Sequence, residues 1–240
     1  MRYWRILMLS ICMTCMFIMS AGADSTTKQV EFKDDFMATA LNSNVWRASG
    51  NGTLIFTFLY KGDIAIKTGS VAGSSHQIST RIPNGISLWG DHDEKLVFID
   101  GWGDTGLGQG QYGDRNVTIE MGFVDGTTLV AGFRYSAGNA PSTWSCVSRE
   151  GGSQAGEQTV TNTMLNHTPG NKTWSIEFLS RCQFGNPDCL AIRFIINGNT
   201  VATHTMDTFS PRGLIFRIRT SNNEYKYLTL DFVEWSIKRY

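Results

Sequence analysis

The pattern that decides the fold lies in residues 173–204, TWSIEFLSRCQFGNPDCLAIRFIINGNTVATH. Apolar side chains alternate with their neighbours in residues 174–179 and again in residues 190–196. Period-2 alternation of this kind predicts strands with one face buried and one face in water. Asn197-Gly198 supplies the positive φ angles that a two-residue hairpin turn needs. The stretch therefore predicts antiparallel strands, and it decides the fold class without deciding the function.

Similar runs recur along the chain, separated by Gly, Asn, Asp and Pro, and no segment shows helical periodicity over ten residues. We predict strands at 30–36, 54–60, 63–67, 77–82, 96–100, 117–124, 129–135, 144–149, 157–163, 174–182, 190–196, 201–205, 214–220 and 227–237. This spacing predicts an all-β antiparallel sandwich. So many strands suit two large sheets packed face to face, as in a jelly roll.

The same alternation predicts the direction of individual side chains. Ile119 and Met121 point to one side of their strand, whereas Glu120 points to the other. Arg217 and Arg219 likewise alternate with apolar residues. This arginine pair predicts either a solvated face or one that lines a concave groove.

Residues 1–23 have the features of a secretory signal peptide. Arg2 and Arg5 precede an apolar run at 6–19, which is shorter than the roughly 20 residues of a membrane span, and Ala21-Gly22-Ala23 offers small residues for cleavage. A membrane anchor is the alternative. We expect a secreted, extracellular protein with one domain at 24–240 and no membrane span after the signal is removed.

The charge balance limits the classes of binding partner, and the cysteines are interpreted in the light of the predicted export. The chain has 21 basic and 21 acidic residues, and signal removal takes only basic ones, so nucleic acid is not an expected partner.

Cys182 and Cys189 flank a short loop, and export predicts a disulfide between them. Cys146 is expected to be a buried free thiol, with intermolecular pairing as the alternative. The sequons at Asn51, Asn116, Asn166 and Asn171 make a glycoprotein an expectation, but about three are expected by chance, so their number says little about a glycosylating host.

Three blocks of sequence carry a family resemblance. They are Asp34-Asp35-Phe36 with Leu41 and Trp46; Trp174, Ile176 and Glu177 leading to Ile192, Arg193, Phe194, Asn197-Gly198, Val201-Ala202, His204 and Pro211; and Leu228, Asp231, Val233 and Trp235. With these blocks the chain resembles the concanavalin A-like lectin/glucanase superfamily. The resemblance implies a jelly-roll sandwich whose last strand returns beside the first. The superfamily includes glycan-cleaving enzymes, lectins, carbohydrate-binding modules, and adhesive or viral surface proteins, and fold alone does not choose among them.

The sequence lacks the acidic motif of the glucanases that it resembles. Glycoside hydrolysis needs two carboxylates beside the scissile bond, and those glucanases carry them as Glu-x-Asp-x-Glu or Glu-x-Asp-x-x-Glu on one strand. The corresponding strand at 129–135 has no acid, and Glu120 is alone on its strand. A lyase is a second enzymatic possibility, since Arg81 near His76 could bind an acidic sugar, but the tyrosine motif of the lyases is missing. We therefore predict no catalytic residues.

Residues 90–115 form a long segment rich in glycine, acids and aromatic residues. Asp100, Asp104 and Asp114 are candidate ligands for calcium, which prefers carboxylate oxygens. Trp102 and Tyr112 are candidate sugar platforms, because aromatic rings stack on the apolar faces of sugars. A solvated loop whose glycines only make turns is the alternative.

A second candidate cluster comprises Arg134, Tyr135, Trp144 and Arg149 on two neighbouring strands. The two arginines could line a groove, whereas Trp144 is as compatible with the core as with a ligand site. Three hypotheses follow: a secreted glycan-binding protein, a structural or adhesive surface or virion protein, and a polysaccharide-cleaving enzyme. A homo-oligomer is compatible with each.

Overall fold

A computed structural model describes residues 28–57, 63–81, 92–100, 116–136, 144–150, 153–160, 172–179, 190–206 and 211–239. Fifteen strands lie in these ranges. They are β1 (Lys28–Asp34), β2 (Arg47–Gly50), β3 (Thr53–Thr57), β4 (Asp63–Lys67), β5 (Ser75–Arg81), β6 (His92–Asp100), β7 (Val117–Asp125), β8 (Thr128–Tyr135), β9 (Trp144–Glu150), β10 (Ser153–Val160), β11 (Thr173–Leu179), β12 (Leu190–Ile196), β13 (Asn199–Met206), β14 (Gly213–Thr220) and β15 (Tyr227–Arg239).

The strands form two antiparallel sheets, which confirms the predicted all-β sandwich. The eight-stranded sheet has the order β13-β12-β11-β6-β15-β4-β3, with β1 also paired to β15. The seven-stranded sheet has the order β10-β9-β8-β7-β14-β5-β2. The last strand lies beside the first, as the resemblance implies. Strand β14 lies between β7 and β5, both of which come much earlier in the sequence.

The stretch that opened the sequence analysis folds as predicted over its described residues, 173–179 and 190–204. Strands β11, β12 and β13 pair in succession, with Trp174 opposite Ile196 and Ile192 opposite His204. Asn197 has a φ of 50° and Gly198 a φ of 81°, as a two-residue hairpin turn requires.

Aromatic side chains from both sheets meet in the core. Trp174 of the eight-stranded sheet lies 4.9 Å from Phe133 and 4.8 Å from Trp144, between ring centroids. Phe98 lies 5.2 Å from Phe216 in an edge-to-face arrangement. The contacts of Trp174 with Phe133 and of Phe98 with Phe216 are edge-to-face, a favourable geometry for aromatic pairs, and all three contacts join the two sheets.

The predicted strands differ from the observed ones where burial does not follow alternation. The sequence analysis missed β2 because all four of its residues are exposed and leave no apolar signal. It began β6 at residue 96, whereas the strand begins at His92. The polar residue Glu94 in this extension is buried, and its carboxylate accepts a hydrogen bond from the Trp235 indole at 3.0 Å.

Candidate functional site

The outer face of the seven-stranded sheet carries a row of four charged side chains, Arg217, Glu120, Arg134 and Glu157, which we call the charged band. Arg217 Nε donates to Glu120 Oε2 at 2.8 Å, and a second guanidinium nitrogen contacts the same oxygen. Arg134 Nε lies 3.4 Å from Glu120 Oε1, and Arg134 Nη1 lies 3.2 Å from Glu157 Oε2. Charges of opposite sign therefore alternate from β14 through β7 and β8 to β10.

Strand register explains why these residues meet. Arg217 on β14 is directly opposite Glu120 on β7, and Glu120 is opposite Arg134 on β8. Directly opposed residues of antiparallel strands share a face. The sequence analysis had predicted this outward direction for Glu120 and Arg217. It did not predict their contact, since they are 97 positions apart in the chain.

The hairpin that joins β7 and β8 bends over this outer face. Arg217 Nη2 donates to the Thr127 carbonyl at 3.3 Å. In a flat hairpin Thr127 would lie roughly 20 Å along the strand from the level of Arg217, beyond the reach of an arginine. Beneath the bent hairpin lies a small apolar cluster that comprises Val124, Leu129, Val147 and Ile215.

Two glycines make this bend possible. Gly122 and Gly132 are directly opposite each other on β7 and β8. Gly122 has a φ of +145°, and a Cβ there would lie 2.4 Å from the Ala131 carbonyl oxygen. The hairpin can thus reach Arg217 of the charged band.

The structure separates the residues of the second predicted cluster. Arg134 belongs to the charged band. Alternation places Arg149 on the same outer face, four positions along β9 from the residue opposite Arg134 and so about 13 Å away. Trp144 is only 1 % exposed and packs against Tyr135 and Trp174, so a ligand-platform role does not fit its position. Burial favours the core alternative that the sequence left open for this residue.

Cys146 is a buried free thiol, as predicted. Burial raises the pKa of this thiol well above its usual range. The group therefore stays protonated, and its side chain packs as a small apolar residue.

Several predicted residues lie outside the described residues: Trp102, Tyr112, Asp104, Asp114, Cys182 and Cys189. Asp100 ends β6, and only its backbone is described. Within the described residues, no three His, Cys, Asp or Glu side chains are grouped so that they could hold a metal ion. None of the described segments forms a helix with the length and apolar character of a membrane span.

The eight-stranded sheet carries a cavity of about 280 Å³ on its outer face, lined by residues that include Lys95, Glu177, Leu179 and Arg193. Glu177 lies 2.8 Å from Lys95 Nζ and 2.6 Å from Arg193 Nη2. Burial by itself would raise the pKa of Glu177, but Lys95 and then Arg193 lower it by hydrogen bonding and charge. This cation–Glu–cation row repeats the arrangement of the charged band on the opposite side of the molecule.

A serine and a histidine meet between the sheets. Ser148 Oγ lies 2.7 Å from His204 Nδ1. The sequence analysis missed this pair, whose members are 56 positions apart in the chain. A nucleophilic serine must be accessible to substrate, but Ser148 is completely buried. We interpret the pair as a polar contact between β9 and β13.

His76, which is buried, and His204, which is half-buried, predict a loss of stability in mild acid. Burial lowers the pKa of His76 and of His204 below the usual 6.5. On acidification the unfolded chain therefore takes up protons before the folded chain does. We expect the free energy of unfolding to be constant above about pH 6.5 and to fall as the pH drops below it.

Urea denaturation between pH 7.5 and pH 5.5 measures this effect. The variant His204→Gln should show a weaker dependence on pH in this window, because one of the two titrating groups is gone. A free energy of unfolding that stays flat down to pH 5.5 in the original protein would contradict the prediction.

Comparison with solved structures defines the class of fold. The chain has the concanavalin A-like jelly-roll sandwich of lectins and glucanases. No protein-family model matches the sequence, and no curated protein matches it at the level of sequence.

Three solved structures illustrate the likeness. The CBM2 module of an evolved Dit protein from Lactobacillus casei BL23 phage J-1 is 12% identical over 90% of this chain and 98% of that chain, with a TM-score of 0.57. Peanut lectin is 12% identical over 88% of this chain and 97% of that chain, with a TM-score of 0.51. The kappa-carrageenase of Pseudoalteromonas carrageenovora is 9% identical over 91% of this chain and 98% of that chain, with a TM-score of 0.51. At these identities the likeness is one of fold.

Proposed function

We propose that this protein is a carbohydrate-binding, lectin-like sandwich whose glycan lies on the outer face of the seven-stranded sheet. The observation that carries this proposal is the charged band. Its carboxylates and guanidinium groups hold one another in place across β14, β7, β8 and β10. Peanut lectin and the kappa-carrageenase, which was solved with an oligotetrasaccharide of kappa-carrageenan, support the choice of ligand class.

The chemistry of the band suits sugar hydroxyls. A hydroxyl both donates and accepts, so it can donate to Glu120 while it accepts from Arg134 or Arg217. Because ion pairs already order these side chains, binding costs less side-chain entropy than at flexible residues. Gln77, opposite Arg217, and Ser145, opposite Arg134, continue the row with neutral polar groups.

Three further features of the proposal come from sequence alone. They are secretion through the signal peptide at 1–23, a disulfide between Cys182 and Cys189, and calcium bound through Asp100, Asp104 and Asp114. Trp102 and Tyr112 remain candidate sugar platforms on the evidence of the sequence. The effect of EDTA on binding tests the calcium component by itself.

The test is binding of the purified protein to a broad panel of glycans and polysaccharides, with and without EDTA, and with product analysis for every hit. We expect binding without release of reducing ends or unsaturated sugars. The variant Glu120→Gln should weaken binding roughly tenfold or more, because hydrogen bonds to charged groups are lost.

The chain offers a matched control in Glu177→Gln, which breaks the equivalent cation–Glu–cation row on the other sheet. This control should lower the free energy of unfolding about as much as Glu120→Gln does, but it should leave glycan affinity unchanged. Release of products would overturn the lectin-like proposal in favour of an enzyme. Failure to bind any glycan of the panel would favour a structural or adhesive protein. Equal loss of affinity in both variants would argue that the glycan does not bind at the charged band.

A further inference from the structure

The outer face of the seven-stranded sheet has an excess of positive charge among the described residues. It presents five arginines but only Glu120 and Glu157 as acids; the arginines are Arg47, Arg134, Arg149, Arg217 and Arg219. The chain as a whole has equal numbers of basic and acidic residues, 21 of each. We infer that the ligand of this face is an anionic polysaccharide, one with repeated carboxylate or sulfate groups. This inference rests on the proposed function and narrows it.

The arginines fall into two groups by their partners. The acids of the charged band already pair with Arg134 and Arg217. In contrast, Arg47 and Arg219 are exposed, and neither forms an ion pair with any described residue. Arg149 has a buried Nε atom without a hydrogen-bond partner. The charge available to a ligand is therefore carried by the arginines outside the band.

Their spacing favours a polymer over a small anion. Arg219 is opposite Ser75 and Arg47 is opposite Ser79, so they are four positions apart along the strands and two strands apart across the sheet. These steps correspond to about 13 Å and about 10 Å. Arg149 lies three strands from Arg219, on the other side of the band. No single small anion spans such distances, whereas a chain with repeated anionic groups meets the arginines one after another.

Guanidinium chemistry suits this ligand class. The planar guanidinium donates two parallel hydrogen bonds to a carboxylate or a sulfate-like group, which a neutral hydroxyl does not match. The charged band still offers hydrogen-bond donors and acceptors to the sugar hydroxyls. Nucleic acid is the competing polyanion, but the whole chain lacks the basic excess typical of proteins that neutralise many phosphates.

The test compares the double variant Arg47→Gln/Arg219→Gln with a charge-matched control, Lys33→Gln/Lys238→Gln. Both control residues are exposed and belong to strands of the eight-stranded sheet. The anionic probes are alginate, pectate, hyaluronan and dextran sulfate. The uncharged probes are dextran, xylan and methyl-esterified pectin. Duplex DNA serves as a polyanion without the sugar chemistry. Affinities are measured over a series of NaCl concentrations.

We expect the protein to bind one or more anionic polysaccharides and to lose affinity as salt increases. The arginine double variant should bind about tenfold or more weakly at low salt and show a shallower salt dependence, while the lysine control behaves as the original protein. Thermal melting checks that both variants fold.

Equal binding to uncharged polysaccharides would overturn this inference and leave the proposed function standing. Binding to DNA that is as tight as binding to the polysaccharides would also overturn the inference, because the face would then recognise negative charge without regard to the sugar. Equal losses of affinity in the arginine and lysine variants would argue that the polysaccharide does not bind to this face. Failure to bind any polysaccharide would overturn both the inference and the proposed function.

Discussion

Replacing Trp144 by alanine is expected to lower the free energy of unfolding by about 3–5 kcal/mol, the usual cost of removing a large aromatic side chain from a core. The indole is 1 % exposed and fills the space between Tyr135 and Trp174. Because alanine leaves a cavity there, the aromatic contact between the two sheets is lost. Guanidinium chloride denaturation measures the change directly.

Two comparisons make this prediction specific to the core role. Trp144→Phe keeps most of the volume and should cost clearly less than the alanine variant. Ser145→Ala changes the next residue, which points to the outer face, and should leave stability nearly unchanged. An alanine variant of Trp144 that is as stable as the original protein but has lost glycan binding would restore the ligand-platform interpretation.

Replacing Gly122 by alanine should destabilise the protein by about 3 kcal/mol, since backbone strain and a steric clash act together. Its φ of +145° is one that residues with a side chain rarely adopt. The new Cβ would lie 2.4 Å from the Ala131 carbonyl oxygen and 2.6 Å from the Gly132 Cα atom. Strands β7 and β8 would have to separate where the hairpin bends over the charged band.

The same hairpin supplies a control in Gly126→Ala. Gly126 also has a positive φ, +62°, but a Cβ there meets nothing within 4 Å. Only the conformational cost of about 1 kcal/mol remains. Urea denaturation of both variants separates the two contributions, and equal losses of stability would show that the close approach of Gly122 to β8 does not matter.

Much of the fold could be predicted because burial in this protein largely follows alternation. Ile119, Met121 and Phe123 are completely buried, as their spacing predicts. Prediction failed where a polar residue is buried, as at Glu94, or where a strand has no buried residue, as in β2. In both cases the neighbour in space, and not the local sequence, decides whether the residue joins the sheet.

The candidate site could be predicted only in part. Alternation indicated that Glu120 and Arg217 point away from the core, and the sequence analysis selected Arg134 as a ligand-binding residue. Nothing in the local sequence indicates that Glu157 reaches Arg134, or that Arg217 reaches the carbonyl of Thr127. Such contacts depend on which strands are neighbours and on the bend of one hairpin.

By itself, the sequence determined the class of fold, the two faces of most strands and the turn at Asn197-Gly198, because side-chain alternation and turn conformation are local properties. Tertiary structure alone decided that β14 lies between β7 and β5, and so that Arg217 meets Glu120. It also decided that Trp144 fills the core while five arginines from four strands share one outer face. The reason is that sheet order is set by how two apolar faces pack over the whole molecule, and no short segment carries that information.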